Sequence, residues 1–135
     1  MSTFQNLEEA KTFFKDDRFA MESGVELIEI DEQYVLAKMD ITENHLNALG
    51  RVMGGAIYTL ADLAISAHGY NLHAPVVGLE NTIHYLSAAK GNTLFAKTKC
   101  LKNGKTTIVL EAEITDDLGT LVATMVGTAF KFYKK

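Results

Sequence analysis

Apolar residues recur along this chain with different spacings, and each spacing predicts an element. Leu7, Ala10, Phe13 and Phe14 fall at helical spacing, which predicts a short amphipathic helix over about 4–15, ended by Asp16-Asp17. Val25 to Ile30 and Tyr34 to Ile41 read as two strands joined at Asp31-Glu32-Gln33, together a hairpin. Thr42 to Met53 has no clear period and reads as a loop. From Gly54 to about Leu72 the chain is apolar nearly all the way round a helical wheel, the mark of a buried helix. Beyond Pro75 come four strand-like runs, Val76 to Leu86, Thr93 to Leu101, Thr106 to Ile114 and Leu121 to Phe132. Their turns are Lys90-Gly91-Asn92, Asn103-Gly104 and Asp116-Asp117-Leu118-Gly119, and Asn-Gly is a strong tight-hairpin signal.

Strands joined by short turns are antiparallel. A helix that is apolar on most faces needs cover on most faces, and a curved antiparallel sheet wrapped around it supplies that cover. The pattern therefore predicts an α+β fold with one long central helix. The 135 residues suit one domain spanning 1–135, long enough for a core without metal or disulfide staples. A net charge of −4 with both signs interspersed argues against a general nucleic-acid binder. Cys100, the single cysteine, excludes an internal disulfide and reads as a packed strand thiol. The first residues lack the basic start and apolar run of a signal peptide, and Asp62 and His68 interrupt the longest apolar stretch. A cytoplasmic protein outside the membrane is expected.

Chemistry enters with Asp62, a carboxylate inside the most apolar helix. Desolvation there disfavours the charged form, so such a group needs a partner or a use. Gly54 and Gly55 open the same helix. Helix-opening N–H groups have no intrahelical acceptor, and glycine lets a carbonyl approach them, which suits an oxyanion in acyl transfer. Close helix packing is the alternative reason for Gly-Gly, and a structural carboxylate is the alternative for Asp62. Eight residues separate Gly54 from Asp62, roughly 12 Å of helix. One carbonyl cannot touch both in one chain, so a joint site predicts a homodimer with two sites at its interface.

Other side chains offer further options. Asn47 precedes the helix and can orient water or a carbonyl, or simply form a turn. His45 can act as a base or as a capping residue, and Asp40 with His45 resembles a pair that adds water to a double bond. Met53, Tyr58, Leu63 and Tyr85 are candidates to line an acyl pocket, aromatic or aliphatic. Lys90, Lys99, Lys102 and Lys105 cluster at strand ends and can meet phosphates, or serve as solvated turn charges. His68, His73 and His84 make a poor metal set, so no metal is expected.

The run His45-Leu46-Asn47-Ala48-Leu49-Gly50-Arg51-Val52-Met53-Gly54-Gly55, continuing to Leu60-Ala61-Asp62, resembles the active-site segment of hotdog-fold acyl-CoA thioesterases of the phenylacetic-acid-degradation (PaaI-like) type. Tyr85-Leu86-Ser87-Ala88-Ala89-Lys90-Gly91 and Lys102-Asn103-Gly104-Lys105-Thr106 resemble later segments of that family, so the likeness extends from about Gly24 onward. The resemblance implies a hotdog fold, a long helix wrapped by five or six antiparallel strands, paired into dimers and often tetramers. It implies hydrolysis of an aryl- or medium-chain acyl-CoA, with coenzyme A entering only as part of the substrate and no separate cofactor. It matches Asp62 to the catalytic carboxylate, Gly54 to the N–H that holds the thioester oxygen, and Asn47 to the residue that positions water or substrate. His45, Met53, Gly55, Tyr58, Leu63, Gly78, Tyr85, Lys90 and Lys105 become its candidate substrate contacts. Two departures stand out: Met53 replaces the histidine of His-Gly-Gly, and Gly78 replaces a hydroxyl-bearing residue after the helix. A non-catalytic acyl-CoA binder and an enoyl-CoA hydratase using Asp40 and His45 are the alternatives.

Overall fold

The protein is described by a computed structural model over residues 2–133. Six strands form one antiparallel sheet: β1 (Val25–Ile30), β2 (Val35–Asp40), β3 (Val76–Tyr85), β4 (Thr93–Asn103), β5 (Thr107–Asp116) and β6 (Leu121–Lys131). Their order across the sheet is β1-β2-β4-β5-β6-β3. The long helix α3 (Gly54–Leu72) connects β2 to β3 and packs against all six strands, which is the hotdog arrangement. Its flank is lined by Ile57, Leu60, Leu63, Ala64 and Ile65, all buried.

Alternation along the strands explains the wrap. Ile108, Leu110, Ala112 and Ile114 take every second position of β5, and none is exposed. Each fully buried Leu or Ile contributes about 1.5–3 kcal/mol relative to exposure. Ala37 on β2 pairs with Ala96 on β4, and both are fully buried, so the sheet presents small side chains where the helix sits. Two polar groups on α3 are buried and satisfied. His68 bonds Thr98 Oγ1 at 2.8 Å and the Glu32 carbonyl at 3.1 Å, and burial lowers its pKa. Asn71 accepts from the Phe4 N–H at 3.0 Å and donates to the Asp31 carbonyl at 3.1 Å, tying down the N-terminal segment. No helix among the described residues is long and apolar enough to cross a membrane.

The N-terminal segment differs from the sequence reading. Helix α1 spans Leu7–Phe14, with the Asn6 side chain capping it through the Glu9 N–H at 2.9 Å. A second helix, α2 (Arg18–Glu22), starts directly after Asp16-Asp17, where the sequence pattern shows only a break. Five residues are too few for helical periodicity to register. The wall of the sheet also holds a clamp. Asp116 accepts backbone N–H groups from Lys90 (2.7 Å), Gly91 (3.0 Å), Leu118 (3.0 Å) and Thr120 (2.8 Å). Asp117 takes those of Asn92 (2.8 Å) and Thr93 (3.1 Å).

At one edge of the sheet, β3 pairs only with β6, and seven of its ten residues are exposed. A long unpaired edge of this kind invites another strand.

Desolvation alone would raise the Asp116 pKa, but the N–H donors of Lys90, Thr120 and Gly91 hold it far below the ordinary carboxylate range. A folded-state pKa below the unfolded one adds stability above the unfolded value, and that stability is lost as pH falls through the carboxylate range. Asp116→Asn is expected to lower the thermal midpoint at pH 7. The gap between variant and wild type should close progressively below about pH 4 in a melting series.

Candidate active site

The site begins where the loop over 46–53 meets α3. Met53 is the N-cap with extended backbone (φ −66°, ψ 139°), and its N–H donates to the His45 carbonyl at 2.7 Å. Among the described residues the N–H groups of Gly54 and Gly55 have no acceptor, as expected for the first turn. Gly54 has a steric reason to be glycine: a Cβ there would lie 3.0 Å from the Tyr85 ring. The Tyr85 hydroxyl donates to the Gly54 carbonyl at 2.9 Å. A Cβ on Gly55 would meet nothing, so close packing accounts for one of the two glycines only.

Asn47 shapes the loop. Its Oδ1 accepts from the Leu49 N–H at 2.9 Å and the Arg51 N–H at 3.1 Å, while among the described residues its side-chain amide N–H groups meet no acceptor. Asn47, Arg51, Gly54, Ile57, Tyr85 and Gly91 contribute to a cleft of about 780 Å³. The Asp116–Asp117 clamp holds the far wall of this cleft, where Ala88, Ala89 and Gly91 lie.

Asp62 lies about two turns further along α3 and is half-buried, less enclosed than its apolar surroundings in the sequence imply. Its Oδ1 accepts from Asn81 Nδ2 at 3.0 Å, and the same nitrogen donates to the Tyr58 hydroxyl at 3.0 Å. Desolvation raises the Asp62 pKa, the bond from Asn81 lowers it, and the Asp17 charge raises it again, leaving it above the ordinary value. Two cavities open at this carboxylate. One, about 450 Å³, lies against α2 and is lined by Asp17, Phe19, Tyr58 and Leu63. The other, about 230 Å³, reaches Phe13, Tyr70, Gly78 and Ala129. Neither shares a lining residue with the cleft at Gly54. Within one chain, then, the carboxylate and the free N–H groups face different spaces.

The other candidates fall on both sides of this division. Tyr58, Leu63 and Gly78 border Asp62, whereas Tyr85 borders Gly54. Met53 is 55% exposed at the helix start. His45 is buried and committed to backbone: Nδ1 accepts from the Thr42 N–H at 3.0 Å, so Nε2 carries the proton and donates to the Ser23 carbonyl at 2.6 Å. This makes it a loop anchor with no nitrogen left for a substrate proton. Asp40 instead accepts from the Thr93 hydroxyl at 2.9 Å. Lys90 and Lys105 flank opposite ends of β4, separated by roughly 33 Å of strand, so one protomer cannot present both to the same phosphate. No three His, Cys, Asp or Glu among the described residues are grouped to hold a metal ion. Burial raises the pKa of the Cys100 thiol, in keeping with a packed side chain.

Asn81 is the residue that sequence reasoning missed. It sits mid-strand in β3, where asparagine is disfavoured, opposite Gly127 on β6. A glycine inside a strand marks close approach of another group, and a Cβ on Gly127 would collide with Asn81 Oδ1. Neither irregularity signals anything until the register pairs them.

Known proteins are similar to this chain over the same region. The thioesterase superfamily matches residues 49–123, a stretch that contains both Gly54 and Asp62. Acyl-coenzyme A thioesterase 13 of Mus musculus is 32% identical over 132 residues, covering 90% of this chain and 91% of its own. Acyl-coenzyme A thioesterase PaaI of Escherichia coli K12 is 27% identical over 125 residues, covering 92% and 89%. The solved structure of E. coli PaaI, from the phenylacetic acid degradation operon, superposes with a TM-score of 0.87 at 26% identity, covering 95% and 94%. A hypothetical thioesterase from Streptococcus pneumoniae TIGR4, solved with coenzyme A, superposes at 0.81 with 27% identity, covering 90% and 98%.

An Asp whose folded pKa is raised costs stability once the pH exceeds its unfolded value, because folding then desolvates a charge. Asp62→Asn keeps the shape and the oxygen that Asn81 binds. It is therefore expected to raise the thermal midpoint at pH 7, with the difference shrinking as the pH falls through the raised folded value of Asp62 and gone below about pH 4.

Proposed function

The chain belongs to the thioesterase superfamily, and from that premise we propose that it hydrolyses an acyl-CoA thioester to the free acid and coenzyme A at a site shared by two copies of itself. The observation that carries this reading is the separation of the two working parts. The carboxylate and the free N–H groups lie on one helix about two turns apart, and each is tethered to the exposed edge strand, Asp62 through Asn81 and Gly54 through Tyr85. A second copy adding antiparallel to β3 about a two-fold axis near Ile83 would set Asn81 opposite the other copy's Tyr85. That register carries Asp62 of one protomer to Gly54 of its partner.

In such a site the thioester oxygen lies against the Gly54 N–H at the positive end of α3, and charge developing on it is stabilised there. Asp62 of the partner takes a proton from water as the water oxygen bonds to the carbonyl carbon. The C–S bond then breaks and the proton returns to the departing thiolate. Direct attack by the carboxylate uses the same geometry, with water hydrolysing the resulting anhydride. The cleft beside Asn47 and Gly91 suits the pantetheine arm, and the cavities at Asp62 suit the acyl group. The acyl-coenzyme A thioesterase activity named for the mouse and E. coli relatives supports an acyl-CoA substrate, and an aryl- or medium-chain acyl group fits this division. Hydration of an enoyl-CoA by Asp40 and His45 is disfavoured, because both His45 nitrogens are held by backbone.

Thiol release across a panel of aryl- and straight-chain acyl-CoAs tests the activity. Asp62→Asn is expected to lower kcat by ~10² or more with the dimer mass unchanged. Coenzyme A binding without thiol release from any panel member would refute the hydrolase reading in favour of a binding protein. A mixing experiment tests the shared site. Gly54→Pro removes the N–H with a residue favoured at the first helical position, and Tyr85→Ala in the same chain clears the ring that its Cβ would meet. The Asp62→Asn protein and this double variant, each inactive alone, should regain about a quarter of wild-type activity when unfolded and refolded together, because half the dimers are mixed and each carries one intact site. No recovery despite mixed dimers would show that the two groups act within one chain.

A further inference from the structure

Asp62 does not hold itself in place; the edge strand and its neighbour do. We propose that Asn81 is a positioning residue for the reaction, a role that rests on the hydrolase reading: it fixes Asp62 Oδ1 against Tyr58, keeps the carboxylate ready to accept a proton, and leaves Oδ2 as the working oxygen, with Gly127 as the gap that admits it.

Hydrogen-bond chemistry dictates the orientation of the amide. A carboxylate only accepts, so the amide NH₂ of Asn81 must face Asp62. Its two hydrogens have two acceptors, Asp62 Oδ1 and the Tyr58 hydroxyl oxygen, both at 3.0 Å. The nitrogen is thus fully used, and rotation of either partner is restrained. Among the described residues Oδ2 of Asp62 accepts no hydrogen bond. The Asn81 carbonyl oxygen lies over Gly127, its cross-strand partner, in space that any side chain there would fill. The latch therefore depends on a pair, an amide on the edge strand and a glycine on the next.

Electrostatics gives the latch its purpose. Asp17, at the corner between α1 and α2, faces Asp62 and opposes its ionisation. Arg18 of α2 lines the same cavity, and Tyr58 and Tyr70 of α3 flank the carboxylate. The strands β3 and β6 turn the uncharged pair Asn81 and Gly127 toward it, because Glu80 and its cross-strand partner Thr128 fall on the other face of the sheet. Asn81 is the group that opposes desolvation directly, by donating to the charged form.

The experiment is a pH titration read in two ways. Asn81→Ala should move the acid limb of kcat/KM upward by about one pH unit, the size of one hydrogen bond to a charged group. The Asp62 carboxyl carbon, followed by NMR in ¹³C-labelled protein and assigned by its loss in Asp62→Asn, should titrate higher by the same amount. Gly127→Ala, which changes neither partner but crowds the amide, should move both in the same direction, whereas Asn81→Ser, which keeps a donor, should move them less. In the wild-type protein alone, the Asn81 side-chain amide resonances should shift with the Asp62 titration. An acid limb and a carboxyl titration unmoved in folded, dimeric Asn81→Ala would overturn the proposal. So would Asn81 amide resonances indifferent to that titration, even if the variants fail to fold. The NMR titrations do not depend on turnover, so failure of the hydrolase reading and failure of the latch give different results.

Discussion

A carboxylate on the side of the most apolar helix in the chain sets a problem the rest of the structure has to solve. α3 contacts all six strands, and most of its flank is dry. Asp62 survives there because it lies where the wrap is thinnest, beside the edge strand, half-buried and bonded by Asn81. Full enclosure would neutralise it, and full exposure would leave its pKa at the ordinary value and its surroundings wet. The intermediate position raises its proton affinity while leaving it hydrogen-bonded, which is what the proposed general-base role requires.

Topology supplies that position. Because α3 crosses from β2 to the opposite edge before β3 begins, the strand that follows the helix becomes an edge. The same strand then reaches both ends of the working helix segment, Tyr85 to the Gly54 carbonyl and Asn81 to Asp62. An exposed edge would ordinarily be a liability. The proposed function uses this edge as the seam with a second copy. The opposite arrangement holds on the cleft wall, where four backbone N–H groups fill both carboxylate oxygens of Asp116 and two more meet Oδ1 of Asp117, so that both carboxylates are held ionised. Two acidic residues in a turn and one on a helix thus have opposite fates, set by how many donors surround each.

Much of the fold was legible because each element repeats its own period. The alternation of Ile108, Leu110, Ala112 and Ile114, the Asn103-Gly104 turn and the unbroken apolar girth of α3 are local signals, and the six strands and long helix appear within a residue or two of where the pattern predicts them. The five-residue α2 left no trace because one turn has no period. His45 invited a chemical reading because its residue type is versatile. Only the packing of the Thr42 N–H and the Ser23 carbonyl against its ring makes it an anchor.

What the amino-acid sequence determined by itself is which residues are out of place for their element: an aspartate in an apolar helix and glycines where that helix starts. These stand out because helical and strand periods are short-range rules that a single residue can break visibly. What the tertiary structure alone decided is which residues support them. Asn81 and Gly127 are 46 positions apart in the chain and become partners only through the register of β3 on β6. Tyr85 meets Gly54 only after α3 and β3 have packed. Contacts of that kind depend on the summed geometry of a whole sheet, which no local pattern encodes.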